Sequence, residues 1–288
     1  MFQIIGKQNL NATVRRLDIR ADALVPKMQP GQFVSVMADR FSRQVPMNVY
    51  DVDFRRRCLS LVFEEHDVET VKMGNMRIND RVFAVNGPYG MPVPAKKIGS
   101  VIFVGEGLGL SSIASLCRSF KQSGNKVIGI AGFEERGSSV LENQLRLNCS
   151  KAYVMYKDGM HERRGDVLIP LRKAMAQEQP VRIYAHASFS MMSNISRIAI
   201  DAKVSLWINV MGLLDPQPSF SDTDTLLFKG EPYFPARDGV WIDASCADID
   251  MFVKTTDALK EYYQCRKNEA ALSASKNVWA RLKKFVWG

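Results

Sequence analysis

The rhythm of apolar and polar positions changes near residue 99. Before that point short runs alternate the two kinds, at Phe2 to Lys7, Ala12 to Ile19, Gln32 to Met37, Met47 to Asp53, Cys58 to Glu64 and Arg81 to Val85. Alternation with a period of two marks half-buried strands. Pro30-Gly31 and Gly87-Pro88-Tyr89-Gly90 punctuate the runs, and Val68 to Met76 has the pattern of one helix. Such spacing predicts a small antiparallel barrel over residues 1–97.

From residue 98 short apolar runs alternate with helical stretches. Strands are expected at Val101 to Val104, Lys126 to Gly132, Ala152 to Tyr156, Val181 to Ala185 and Ser205 to Val210. Helices are expected at Ser111 to Gln122, Val140 to Leu147, Val167 to Gln177 and Ser190 to Asp201. This is the pattern of a doubly wound parallel sheet, so the fold class is β-barrel plus α/β, the second domain covering 98–211. A small β appendage is expected over 212–250, from Thr225 to Phe228, Pro232 to Ala236 and Gly239 to Ile242. Residues 251–288 read as a helical extension. Within it, Glu269 to Trp287 lacks Gly and Pro and sets Leu272, Trp279, Leu282 and Val286 near one face, flanked by Lys276, Arg281, Lys283 and Lys284. A basic amphipathic helix of this kind suits a membrane interface, a partner subunit or its own domain.

Length and charge narrow the partners. The 288 residues, 46% of them hydrophobic, suffice for a two-domain core. A net charge of +9 favours acidic partners such as a nucleotide, an acidic electron carrier or an anionic membrane surface. The Lys and Arg residues are scattered without a recognition motif, which argues against nucleic acid. The five cysteines form no Cys-x-x-Cys, so neither zinc nor a disulfide framework is expected. His66, His161 and His186 have no metal-ligand spacing, although His186 ends a predicted strand, where ligands of such sheets lie. With no export signal at the N-terminus and no apolar run near the ~20 residues that cross a bilayer, a cytoplasmic location is expected, with peripheral attachment at the inner membrane face if the terminal helix serves that end.

The chemistry concentrates at Val101-Ile102-Phe103-Val104-Gly105-Glu106-Gly107-Leu108-Gly109, a buried strand running into a glycine turn and a helix. Gly105, Gly107 and Gly109 would let the backbone approach a pyrophosphate while the helix directs its first amides at the anion. An ordinary strand-to-helix turn has the same pattern.

In sum these features resemble the ferredoxin-NADP reductase superfamily, and more narrowly the small electron-transfer subunits of dihydroorotate dehydrogenase, sulfide dehydrogenase and the bifurcating NADH-dependent ferredoxin:NADP oxidoreductase. Pro30-Gly31-Gln32-Phe33, Asn86-Gly87-Pro88-Tyr89-Gly90, the glycine loop, Lys157-Asp158-Gly159 and Arg164-Gly165 carry the resemblance, which covers about residues 2 to 250. It implies FAD on the barrel, at Arg43, Pro46, Met47, Asn48, Val49, Thr70, Gly87, Pro88 and Gly90. It implies NAD(H) at Gly105, Gly107, Gly109, Glu134 and Asp158. A larger oxidoreductase subunit is the partner it implies.

The chain departs from the family where cofactors are held. Gln44-Val45-Pro46-Met47-Asn48-Val49 replaces Arg-x-Pro-Leu-Thr-Ile, and Arg43 lies one residue early, an offset that turns a strand side chain to the other face unless a bulge intervenes. Asp67-Val68-Glu69-Thr70 replaces the Gly-Lys-Thr-Thr that holds the flavin diphosphate, setting two carboxylates against an anion. Glu106 enters the glycine loop. Glu134 replaces an arginine, which suits a ribose diol and therefore NADH. Ser221, Asp224 and Ala236 stand where the family has cluster cysteines, so no iron-sulfur centre is expected. Two readings remain open: a flavin-dependent electron-transfer subunit, and a pseudo-reductase serving as scaffold or nucleotide sensor.

Overall fold

The computed structural model describes residues 1–158, 163–214 and 220–254. The expected terminal helix, Cys265, Gly159 and His161 lie outside these residues.

The first half is one antiparallel sheet of β1 (Phe2–Asn9), β2 (Val14–Arg20), β3 (Phe33–Met37), β4 (Val45–Asp53), β5 (Cys58–Glu64), β6 (Arg81–Val82) and β7 (Ala84–Tyr89), with α1 (Val68–Asn75) between β5 and β6. The strand order is β6-β1-β2-β5-β4-β3-β7. The single run expected over 81–85 is therefore two strands that pair at opposite edges, Val82 with Phe2 and Ala84 with Met37. Only Phe83 separates them, so the sheet has to curl until its two edges nearly meet. Its alternating inward residues, among them Ile4, Leu17, Ile19, Val34, Val36, Leu59 and Leu61, fill the interior.

The second half follows as β8 (Ser100–Glu106), α2 (Gly109–Gln122), β9 (Lys126–Phe133), α3 (Glu142–Asn148), β10 (Lys151–Tyr156), α4 (Leu168–Glu178), β11 (Arg182–His186), α5 (Phe189–Asp201) and β12 (Ser205–Asn209). Then come β13 (Leu226–Phe228), β14 (Glu231–Tyr233), α6 (Pro235–Asp238) and β15 (Trp241–Asp243). The larger sheet has the order β10-β9-β8-β11-β12-β15. Its first five strands are parallel and reverse direction of growth between β8 and β11, which is the switch point of a doubly wound sheet. Val101 to Val104 are wholly buried, as a strand covered by helices on both faces requires. Residues 239–242, expected in the appendage, instead supply most of β15, an antiparallel edge strand on β12; β13 and β14 form a separate hairpin.

The barrel keeps its own apolar interior, and a second, larger core spans the seam between the two halves. Phe33, Tyr50, Val62 and Val93 from the barrel side join the cluster centred on β8 and α2. Arg118 of α2 and Asp51 of β4 bridge the seam at 2.7 Å.

Candidate functional site

The carboxyl ends of β8, β9, β10 and β11 bring Gly105 to Gly109, Glu134, Asp158 and His186 to one edge of the sheet. Gly107 takes φ +52 with open space where a β-carbon would project, and its amide donates to the Gly132 carbonyl at 2.9 Å. Gly109 opens α2. A β-carbon there would stand 2.0 Å from the His186 carbonyl oxygen, so glycine is what lets the helix head enter between the strands. No side chain caps this helix. Its first turn is thus directed at the crevice without an internal anion, the arrangement that suits a bound phosphate.

Polar and charged side chains surround the mouth. Ser112 Oγ lies 2.6 Å from His186 Nδ1 and 2.9 Å from the Gly109 carbonyl oxygen. Burial pushes the His186 pKa down to about 4, so the ring is neutral at physiological pH. Glu106 ends β8 with Oε1 buried and without a hydrogen-bond partner, while Oε2 lies 3.5 Å from Ser188 Oγ. Burial pushes its carboxyl up, only partly offset by Lys157 and Ser188, and Glu134 adds to the rise. Glu134 is exposed and pairs with Lys157 at 2.6 Å, and Asp158 is exposed beside them. The backbone of the crevice fits a nicotinamide dinucleotide, with the exposed Glu134 at its rim. Glu106 fits it when protonated, as a donor to a phosphate oxygen.

The flavin positions are arranged differently. Arg43 precedes β4, and its guanidinium reaches Asp67 at the head of α1. Asp67 is the N-cap: Oδ1 accepts from the Thr70 amide at 2.8 Å and from the Thr70 hydroxyl at 2.7 Å, closing a capping box. Partial burial opposes ionisation of Asp67, but the Thr70 and Arg43 hydrogen bonds outweigh it and hold the carboxyl below its usual range. Pro46, Met47 and Val49 are buried in the barrel wall. Asn48, one of the expected flavin positions, accepts from Asn209 of β12 at 3.3 Å. Gly87 and Pro88 are joined by a cis bond, and Gly90 abuts Gly239, its amide donating to the Ala236 carbonyl at 2.7 Å. Phe220 packs edge-on against Phe33 and Tyr89, 5.4 and 5.2 Å between ring centres. Nothing in the spacing of the chain pointed to Asn209 or Phe220.

At the three cluster positions, Ser221 and Asp224 hydrogen-bond each other and Ala236 meets Gly90. Among the described residues no group of three His, Cys, Asp or Glu is placed to hold a metal ion. None of the described helices is long and apolar enough to cross a membrane.

No family model matches the chain. A Thermotoga maritima protein described as a homolog of the dihydroorotate dehydrogenase B (NAD(+)) electron transfer subunit is 19% identical over 259 residues, spanning 90% of this chain and 92% of its own. The corresponding subunit of Streptococcus thermophilus is 25% identical over 50% of this chain and 57% of its own. Among solved structures, an NADH-dependent reduced ferredoxin-NADP oxidoreductase superposes with a TM-score of 0.79 over 94% of this chain and 98% of that one, at 18% identity. Its fold is that of the ferredoxin-NADP reductase superfamily, and its sequence is similar to the electron transfer subunits named above. A ferredoxin-NADP+ reductase variant from Plasmodium falciparum shares the superfamily fold with a TM-score of 0.55, over 69% of this chain and 90% of that one, at 15% identity. β1 to β7 match the barrel of that fold, and β8 to β12 match the sheet of its nucleotide-binding domain.

Proposed function

We propose that this chain is the reductase-type subunit of an electron-transfer oxidoreductase, bound to a larger oxidoreductase subunit and contributing a site for NAD(H). The uncapped head of α2, opening at the β8–β11 switch point with Gly109 locked against His186, carries this reading. Relatives named as electron transfer subunits support the same assembly. Glu134 at the ribose end favours NADH over NADPH, because a 2′-phosphate would meet a carboxylate. Nicotinamide chemistry is hydride transfer, here to an acceptor group that the larger oxidoreductase subunit would supply, and it asks the protein for orientation and exclusion of water more than for an acid or base. Gly105, Gly107 and Gly109 would hold the pyrophosphate, with Glu134 and Asp158 at the ribose end. The substituted positions Ser221, Asp224 and Ala236 support a subunit without an iron-sulfur cluster.

Calorimetric titration of the purified chain with NADH and NADPH tests the proposal. Binding of NADH at least about tenfold tighter than NADPH is expected, and the absence of binding by either would overturn it.

The Arg43–Asp67 pair favours a second reading, in which the chain is a non-catalytic nucleotide sensor or scaffold of the same complex. The assembled complex separates the two: if Gly107→Val abolishes NADH oxidation the subunit is catalytic, and if oxidation persists while NADH no longer shifts assembly it is a sensor.

A further inference from the structure

The structure has two helices whose heads resemble dinucleotide anchors, and they are finished in opposite ways. The head of α2 has no side-chain cap, whereas that of α1 is closed by a carboxylate. Asp67 meets its partners there as a bound phosphate oxygen would: one oxygen takes the Thr70 amide and hydroxyl, the other takes the guanidinium of Arg43. The amides of His66 and Asp67 turn to the Thr70 hydroxyl, at 3.1 Å each. A second carboxylate, Glu69, sits in the first turn with Oε2 buried and lacking a hydrogen bond, its nearest cation being Lys72 at 3.6 Å. Lys72 itself also reaches Asp39 at 3.3 Å and the Ser42 hydroxyl. An incoming diphosphate would have to displace Asp67 from its amide and its arginine while facing both carboxylates, so the residues present do not fit it.

We infer that Asp67 is an internal substitute for the ligand phosphate, clamped by Arg43, and that the barrel accepts no flavin dinucleotide diphosphate at the head of α1. This concerns the barrel alone and holds whether or not the α2 crevice takes NADH.

The test is titration of the full chain with FAD, followed by flavin fluorescence anisotropy. Inorganic pyrophosphate serves as a competing probe and NADH calorimetry as the separate readout of α2. Wild type is expected to show no saturable FAD binding. Asp67→Ser combined with Glu69→Gln keeps an N-capping hydroxyl and removes both charges. This variant is expected to bind FAD saturably, to lose that binding on further change of Arg43→Gln, and to release FAD to pyrophosphate. Its NADH affinity should be unchanged. Should the serine variant unfold, Asp67→Asn with Glu69→Gln retains side-chain volume and cap and carries the same expectation. Equimolar FAD on the wild-type chain would overturn the inference, as would a folded double variant that binds no FAD.

Discussion

The carbonyl oxygen of His186 lies 2.0 Å from the place a β-carbon on residue 109 would occupy. The head of α2 and the end of β11 are therefore in backbone contact, and the crevice exists because residue 109 has no side chain. Gly109→Ala must push α2 away from the sheet. Overpacking of this kind costs about 1–3 kcal/mol, and the clash with backbone puts it at the upper end. Urea denaturation should register that loss, and NADH binding should disappear even at temperatures where the variant stays folded. A variant with unchanged stability would mean that the loop has slack the geometry denies.

Glu106 predicts a pH signature. Its carboxyl is pushed above the unfolded value of 4.5 by burial, so the native state holds the proton more firmly than the unfolded chain. Stability linked to this group is complete below pH 4.5 and is lost as pH rises through the folded pKa. Glu106→Gln should accordingly be more stable than wild type at pH 7.5, by roughly 1 kcal/mol, with the difference vanishing toward pH 4. Thermal midpoints at the two pH values check this. The same substitution should flatten the pH dependence of NADH binding, which in the wild type weakens as the Glu106 carboxyl ionises.

Asp67 predicts the opposite slope. Its carboxyl is held below the unfolded value of 3.8, so its stabilisation is present above that pH and fades as the pH falls through the lower folded value. Asp67→Ala should cost about 0.5–2 kcal/mol at neutral pH, the usual worth of an N-cap. A double-mutant cycle with Arg43→Ala should return a favourable coupling at pH 7 that shrinks in acid. Independent effects of the two substitutions would show that the ion pair carries no energy in solution.

The sequence announced the layers of this molecule because its strands obey local rules. Val101 to Val104 form an unbroken apolar run and are buried throughout, and Gly105 to Gly109 break the run where the sheet gives way to a helix. The carboxylate at Asp67 was equally visible as an offence against an anion site. Its pairing with Arg43 was not, because that contact depends on how the segment before β4 crosses the head of α1. Phe83 shows the same limit. Nothing local distinguishes one strand over 81–85 from two strands on opposite edges, since barrel closure is a property of the whole sheet. Gly90, whose motif resembles a cofactor loop, makes its closest approach to Gly239 rather than to any of the flavin positions on β4.

That approach supplies a test with a built-in control. Gly90 and Gly230 both adopt positive φ, +80 and +87, so alanine strains the backbone at either position by about 1–2 kcal/mol. At Gly230 nothing lies within 4 Å of the added carbon, whereas at Gly90 it falls 2.5 Å from the Cα of Gly239. Gly90→Ala must also disturb the 2.7 Å hydrogen bond from its amide to the Ala236 carbonyl, which ties the barrel to α6. Gly230→Ala should lower stability by the strain alone and leave the protease resistance of residues 231–243 unchanged. Gly90→Ala should lower stability by roughly 1–3 kcal/mol more, through the clash, and expose Arg237 to trypsin. Equal costs at the two glycines would show that the barrel and α6 are not held together through this backbone contact.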